Sequence, residues 1–143
     1  MSAAESCTGG LLAATLTAVP GSSNWFERGW ITYSNASKIQ ELAVPEWLLA
    51  TYGAVSEPVA AAMAEGARKF ANTDIALSVT GIAGPDGGSG DKPVGTVCFG
   101  WSTREQTQTQ ICHFSGDRHA VRLASVIHGI AGLIQRLQVS DTQ

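Results

Sequence analysis

At 143 residues, with 44% hydrophobic and 15% charged side chains, the chain has the size and composition of one globular domain with a real core, neither disordered nor membrane-spanning. Its formal charge of -3, from nine Lys and Arg against twelve Asp and Glu, leaves no footprint for nucleic acid, so any anion site has to be local. Three cysteines, Cys7, Cys98 and Cys112, form neither a CxxC pair nor an even set, the start lacks a signal-peptide pattern, and no apolar run reaches a spanning length; reduced thiols and a cytoplasmic location are expected.

The first stretch that carries chemistry is Glu5-Ser6-Cys7-Thr8-Gly9-Gly10, directly before an apolar run over residues 11–19. Hydroxyls and a thiol followed by two glycines suit a tight turn, and a helix beginning there has unpaired N–H groups and a positive dipole end. Such a start fits an anionic ligand or a developing oxyanion; the plainer reading is that Ser6 or Thr8 only caps the helix. Few residues stand ahead of Glu5, too few for a full strand leading into the turn, which suggests a late start or an upstream segment outside this sequence.

Further along, residues 11–18 have helical spacing, Pro20 to Asn24 make a loop, and residues 27–33 read as a strand. Ser34-Asn35 offers a cap for a short helix with Lys38, Ile39 and Leu42, and Pro45 fits the first turn of another. Ser56-Glu57-Pro58 starts a longer helix with Val59, Ala60, Met63, Ala67 and Phe70 on its apolar face. Residues 75–79 form a near-continuous apolar run, the pattern of a buried central strand, ending in Thr80. Then comes a loop in which six of fifteen residues, 81–95, are glycine. Residues 96–102 and 107–114 predict a hairpin around Arg104-Glu105. Ser115-Gly116-Asp117 opens a last helix to about Leu137, with Val121, Ala124, Ile127, His128, Ala131 and Ile134 inward and a frayed tail over residues 139–143. The expected fold is therefore α/β, a single layered domain over residues 1–138 with a mixed β-sheet flanked by helices.

Four ordered segments, Glu5-Ser-Cys-Thr-Gly-Gly10, Tyr33-Ser-Asn-x-x-Lys38, Val79-Thr-Gly-Ile-Ala-Gly-Pro85 and Lys92-Pro-Val-Gly-Thr96, together resemble the C-terminal domain of the competence/damage-inducible protein CinA. The likeness runs from about Ala4 to Leu137. It implies an amidohydrolase that converts nicotinamide mononucleotide to nicotinate mononucleotide and ammonia in pyridine nucleotide recycling, with function carried by Ser6, Tyr33, Lys38 and Thr80. Members of the family usually have a helix and strand ahead of the Glu-Ser-Cys-Thr segment, and many follow a second domain on one polypeptide; neither is found in this sequence.

An amide is a poor electrophile, so hydrolysis needs an activated nucleophile, an oxyanion site and a proton donor for ammonia. His113, His119, His128 and the cysteines lack metal-ligand spacing, and neither a metal nor another cofactor is called for. The expected pair is Ser6 as nucleophile and neutral Lys38 as base, the lysine pKa lowered by burial. Tyr33 is expected to orient that amine or relay its proton, and Thr80 to touch the carboxamide or Ser6, unless it only satisfies a loop backbone group. Amides of Cys7, Thr8, Gly9 and Gly10 are candidates for the oxyanion; Cys7 is also the rival nucleophile. The loop with Gly84, Gly87 and Gly88 either wraps the ribose or phosphate or serves as a lid. Arg118 and Arg122, four apart on one helix face, are the candidates for gripping phosphate, with an ion pair to Asp117 as the structural alternative for Arg118. The partners expected are thus a small nucleotide and possible further copies of the chain, with neither nucleic acid nor membrane. The competing reading is a non-hydrolytic nucleotide-binding or regulatory module.

Overall fold

The computed structural model describes residues 1–140, which follow one another as β1 (Ser2–Glu5), α1 (Leu11–Thr17), β2 (Arg28–Ile31), α2 (Asn35–Leu42), α3 (Glu46–Tyr52), α4 (Glu57–Ala71), β3 (Ile75–Gly81), β4 (Thr96–Thr103), β5 (Thr107–His113) and α5 (Arg118–Ser140). A 3-10 turn at Ser22–Asn24 joins α1 to β2. The strands form one five-stranded sheet in the order β2-β1-β3-β4-β5. The first three run parallel, while β4 and β5 return antiparallel. This is the mixed, helix-flanked sheet expected from the alternation of periods.

Both faces of the sheet are covered, which explains why β3 reads as a continuous apolar run. Leu77 and Val79 point with Phe99 and Trp101 into a core shared with Leu12, Val121 and Leu133 of α1 and α5. Ala76 lies in the opposite core, with Leu42, Val44, Val59 and Met63 of the α2 to α4 layer. Two hydroxyls on that second face reach backbone carbonyls, Ser78 Oγ donating to Ala60 O at 2.6 Å and Thr80 Oγ1 to Ala54 O at 2.9 Å. Helix starts follow their polar caps, since Ser34 Oγ accepts from the Ser37 amide and Ser56 Oγ from the Val59 amide.

Four sequence expectations are corrected. The residues ahead of Glu5 do make a strand: β1 has only four residues, but it pairs on both edges, with β2 and with β3, so a short segment is held firmly at the sheet centre. β2 ends at Ile31, short of Tyr33, as the chain turns into the Ser34 cap. Phe70 is 54% exposed, because α4 packs through small residues; a Cβ on Gly66 would lie 2.1 Å from Leu42 O, so α2 and α4 meet backbone to backbone.

The inward face of α5 is the fourth correction. Val121 is buried as expected, but Ile127 and Ile134 are 60% and 50% exposed, and Ser125, Val126, Gly129, Gly132 and Leu133 are buried instead. Large sheet residues select this face: a Cβ on Gly132 would come within 2.4 Å of the Trp101 ring. Apolar periodicity favoured Ile127 and Ile134, whereas the face against the sheet includes Gly129 and Gly132, where the large sheet residues leave little room for a side chain. The expected frayed tail is helical at Val139, and residues 141–143 lie outside the described residues.

Candidate active site

The turn after β1 is organised by a carboxylate. Glu5 is 1% exposed and accepts four hydrogen bonds: Thr8 Oγ1 at 2.6 Å, the Gly10 amide at 3.1 Å, the Leu12 amide at 2.9 Å and the Ala13 amide at 3.0 Å. The N-terminus of α1 is thus filled by the chain's own anion, which corrects the expectation that its amides face the ligand of Ser6. The Gly9 amide is likewise taken, donating to Ser6 O at 3.1 Å. Of the four amides proposed for an oxyanion, those of Gly9 and Gly10 are therefore spent inside the turn. The Cys7 and Thr8 amides have no oxygen acceptor among the described residues. Gly9 and Gly10 adopt φ of 54° and 105°, a left-handed path that lets the chain double back beneath the carboxylate.

Lys38 comes to this turn from α2, in the layer under the sheet. It is 1% exposed, with Nζ 3.0 Å from Ser6 Oγ, 2.8 Å from Thr32 O and 3.3 Å from Tyr33 O. No carboxylate pairs with it among the described residues. Burial pulls its pKa down from 10.5 to about 8, against a smaller opposing effect of Cys7. A neutral amine has two N–H groups and one lone pair. The Thr32 and Tyr33 carbonyls match the two N–H groups, which leaves the lone pair for the Ser6 hydroxyl.

A cleft of about 260 Å³ opens at the C-terminal ends of β1 and β3, lined among others by Ser6, Cys7, Lys38, Thr80, Gly87 and Arg118. Open α/β sheets hold ligands at such strand ends. A larger hollow of about 510 Å³ lies by Trp101 and Arg104 at the other end of the sheet, away from every one of these groups. The smaller cleft is therefore the candidate site.

Other sequence candidates take different places. Tyr33 contributes its carbonyl to Lys38, while its phenol is turned out, 59% of the residue exposed, and accepts from Arg118 Nη2 at 3.0 Å. The phenol therefore does not touch the amine. Arg118 also donates to Gly84 O at 2.8 Å, so it ties the glycine loop to Tyr33 and makes no pair with Asp117. Asp117 caps α5 through the Ala120 amide. Thr80 lines the cleft with its own proton already given to Ala54 O, so its oxygen can still accept. Gly87 lines the cleft, whereas Gly88 does not; a Cβ there would lie 2.8 Å from the Val94 amide nitrogen, which gives it a packing reason to be glycine. Cys7 is a buried wall residue whose thiol is pushed up to about 11 by burial, a poor thiolate source beside Ser6. Arg122 holds the turn by donating to Cys7 O at 3.2 Å and Thr8 O at 2.9 Å, and is not a cleft residue.

The family model of the CinA C-terminal domain matches residues 1–137. The chain belongs to that family. Among its relatives is the nicotinamide-nucleotide amidohydrolase PncC of Escherichia coli K12, 54% identical over 134 residues, 93% of this chain and 81% of that protein. The protein of the same name from Pseudomonas putida is 51% identical over 132 residues, 92% of this chain and 82% of its own length. A putative competence-damage inducible protein of Symbiobacterium thermophilum is 50% identical, and there the chain spans 33% of the relative's length. Among solved structures, competence damage-inducible protein A of Klebsiella pneumoniae superposes with a TM-score of 0.92 at 40% identity, covering 96% of this chain and 85% of that one. The competence/damage inducible protein of Agrobacterium tumefaciens gives 0.92 at 43% identity, covering 94% and 82%.

Three contributors to this CinA-family site were not legible as such in the sequence. Thr32 and Ala54 act through carbonyl oxygens, which no side-chain pattern signals. Glu5 opens the first motif, and a glutamate whose carboxylate can fold over the start of the next helix was its only clue.

Proposed function

We propose that the chain is a serine amidohydrolase acting on nicotinamide mononucleotide, releasing ammonia and nicotinate mononucleotide. The observation that carries the reading is the 3.0 Å contact between Ser6 Oγ and the buried amine of Lys38, which has no carboxylate partner among the described residues. The nicotinamide-nucleotide amidohydrolase relatives at half identity supply the substrate class.

In this mechanism the neutral Lys38 amine takes the Ser6 proton as Oγ attacks the carboxamide carbon. The oxygen that gains charge is received by the Cys7 and Thr8 amides, the two in the turn with no competing oxygen. Lys38 then passes its extra proton to the departing nitrogen, ammonia leaves and an ester to Ser6 remains. Water, deprotonated by the same amine, hydrolyses the ester and restores the hydroxyl. The Thr80 oxygen accepts from the carboxamide NH₂ and so selects its orientation. Phosphate binds at the cleft mouth through the remaining N–H groups of Arg118, beside the Gly87 backbone. The free cysteines suit the reducing conditions of the cytoplasm, where we place the reaction.

The test is ammonia release from nicotinamide mononucleotide with chelator present, compared with nicotinamide and its riboside. Release from the mononucleotide in clear preference supports both hydrolysis and the phosphate grip. Equal rates on all three would remove Arg118 from phosphate binding, and saturable binding without release would favour the regulatory-module reading.

A further inference from the structure

Arg122 has an unusual set of partners. It is a half-buried cation that donates to two backbone carbonyls, Cys7 O at 3.2 Å from Nε and Thr8 O at 2.9 Å from Nη2, and it makes no ion pair among the described residues. Both carbonyls belong to the two residues that follow Ser6. The guanidinium comes from α5 and does not line the cleft.

The peptide joining Cys7 to Thr8 is trans, because the cis bond among the described residues is Gly84–Pro85. In a trans peptide the C=O and N–H point in opposite directions. A Cys7 carbonyl held toward α5 therefore turns the Thr8 N–H away from α5. That N–H belongs to a residue with 0% exposure and has no acceptor among the described residues. A buried donor without an acceptor is a group whose missing partner calls for an explanation, and this one lies one residue beyond Cys7, which lines the cleft. A cation on the carbonyl end of the same peptide also polarises it, which strengthens the N–H as a donor.

We infer that Arg122 is a positioning residue for the oxyanion step, holding the Cys7–Thr8 peptide so that the Thr8 amide meets the carboxamide oxygen as it gains charge. The inference rests on the serine amidohydrolase reading of the site. It assigns the two arginines of one helix face to separate tasks: Arg118 at the cleft mouth acts on binding, and Arg122 on the turn's carbonyls acts on rate.

The experiment compares the parent with Arg122→Ala and Arg122→Lys, using nicotinamide mononucleotide and its thioamide analogue. Loss of an oxyanion donor lowers kcat by roughly 10²-fold. The expected result is a loss of that order in Arg122→Ala, with KM within about twofold and about tenfold of the rate regained in Arg122→Lys. Sulfur is a weak acceptor, so turnover of the thioamide falls by much less, and the preference for oxygen over sulfur shrinks. A raised KM at constant kcat would overturn the inference in favour of substrate grip. Equal losses on both substrates, in variants that melt at the parent temperature, would overturn it in favour of a scaffold role. A parent without turnover defeats the amidohydrolase reading and is recognised before any variant is compared. A measurement independent of turnover decides the positioning itself: in ¹H–¹⁵N spectra the Thr8 and Gly9 amides shift in Arg122→Lys while Thr80 stays in place. Unmoved Thr8 and Gly9 signals would overturn it.

Discussion

If Lys38 is the base, the rate must follow the fraction of its amine that is neutral. With a pKa of about 8, about one-tenth of the amine is neutral at pH 7, one-half at pH 8 and nine-tenths at pH 9, so kcat/KM rises close to tenfold between pH 7 and pH 9. The range above pH 7 is the informative one, since a phosphate monoester titrates near pH 6. The depressed value arises because burial disfavours the ammonium, a penalty of roughly 3 kcal/mol at most from the fall of 10.5 to about 8. Stability carries the same signature. Between pH 8 and pH 10.5 the unfolded lysine still holds its proton and the folded one does not, so folding stability rises with pH across that window. Ammonia release over pH 7 to 9.5 reads the first effect, and urea unfolding of the parent against Lys38→Met reads the second. A kcat/KM that stays flat or falls between pH 7 and pH 9 would refute the assignment of Lys38 as a neutral base.

Lys38→Arg should lower kcat by roughly 10³-fold or more, because a guanidinium does not lose its proton at these pH values; steady-state ammonia assays at pH 8 check this. Arg118→Ala should raise KM about tenfold or more with a smaller change in kcat, as read by the same assay with the mononucleotide. Glu5→Gln keeps one acceptor oxygen for the Thr8, Gly10 and Leu12 donors, turns its NH₂ against the Ala13 N–H, and should cost about 2 kcal/mol or more in urea unfolding. Gly66→Ala should destabilise by more than about 2 kcal/mol although alanine favours helix by about 1 kcal/mol, since its Cβ has 2.1 Å to Leu42 O; a stabilised variant would show that α2 and α4 can separate.

Much of the fold was written in local patterns. The buried run of β3, the Ser34 and Ser56 caps and the hairpin around Arg104-Glu105 each follow from a few neighbouring residues, and each is found. Expectations failed where a distant element decided. The four residues of β1 gain their stability from strands on both sides, and the buried face of α5 is set by Trp101, 31 positions before Gly132 in sequence. Only a tertiary contact can favour Gly129 and Gly132 over Ile127 and Ile134.

The site divides in the same way. Ser6 and Lys38 stand in separate motifs 32 residues apart, and it is resemblance to the CinA family, together with the need for a metal-free base, that joined them in the sequence. Their contact depends on the Thr32 and Tyr33 carbonyls, which hold the amine at the turn. Tyr33 was expected to act through its phenol and acts on Lys38 through its backbone. The helix start of α1 was legible as an anion site, and the anion proves to be Glu5 of the same chain. A sequence shows that amides at a helix start need an acceptor; it does not show which carboxylate arrives.

The central claim is that Ser6, and not its neighbour Cys7, attacks the carboxamide. Rapid acid quench of the parent during turnover of nicotinamide mononucleotide, followed by digestion and mass spectrometry, tests it directly. The account predicts a nicotinate mononucleotide ester on Ser6 in the parent and neither adduct nor ammonia release in Ser6→Ala. An adduct on Cys7, or a Ser6→Ala variant that retains a substantial share of the parent rate, would contradict it.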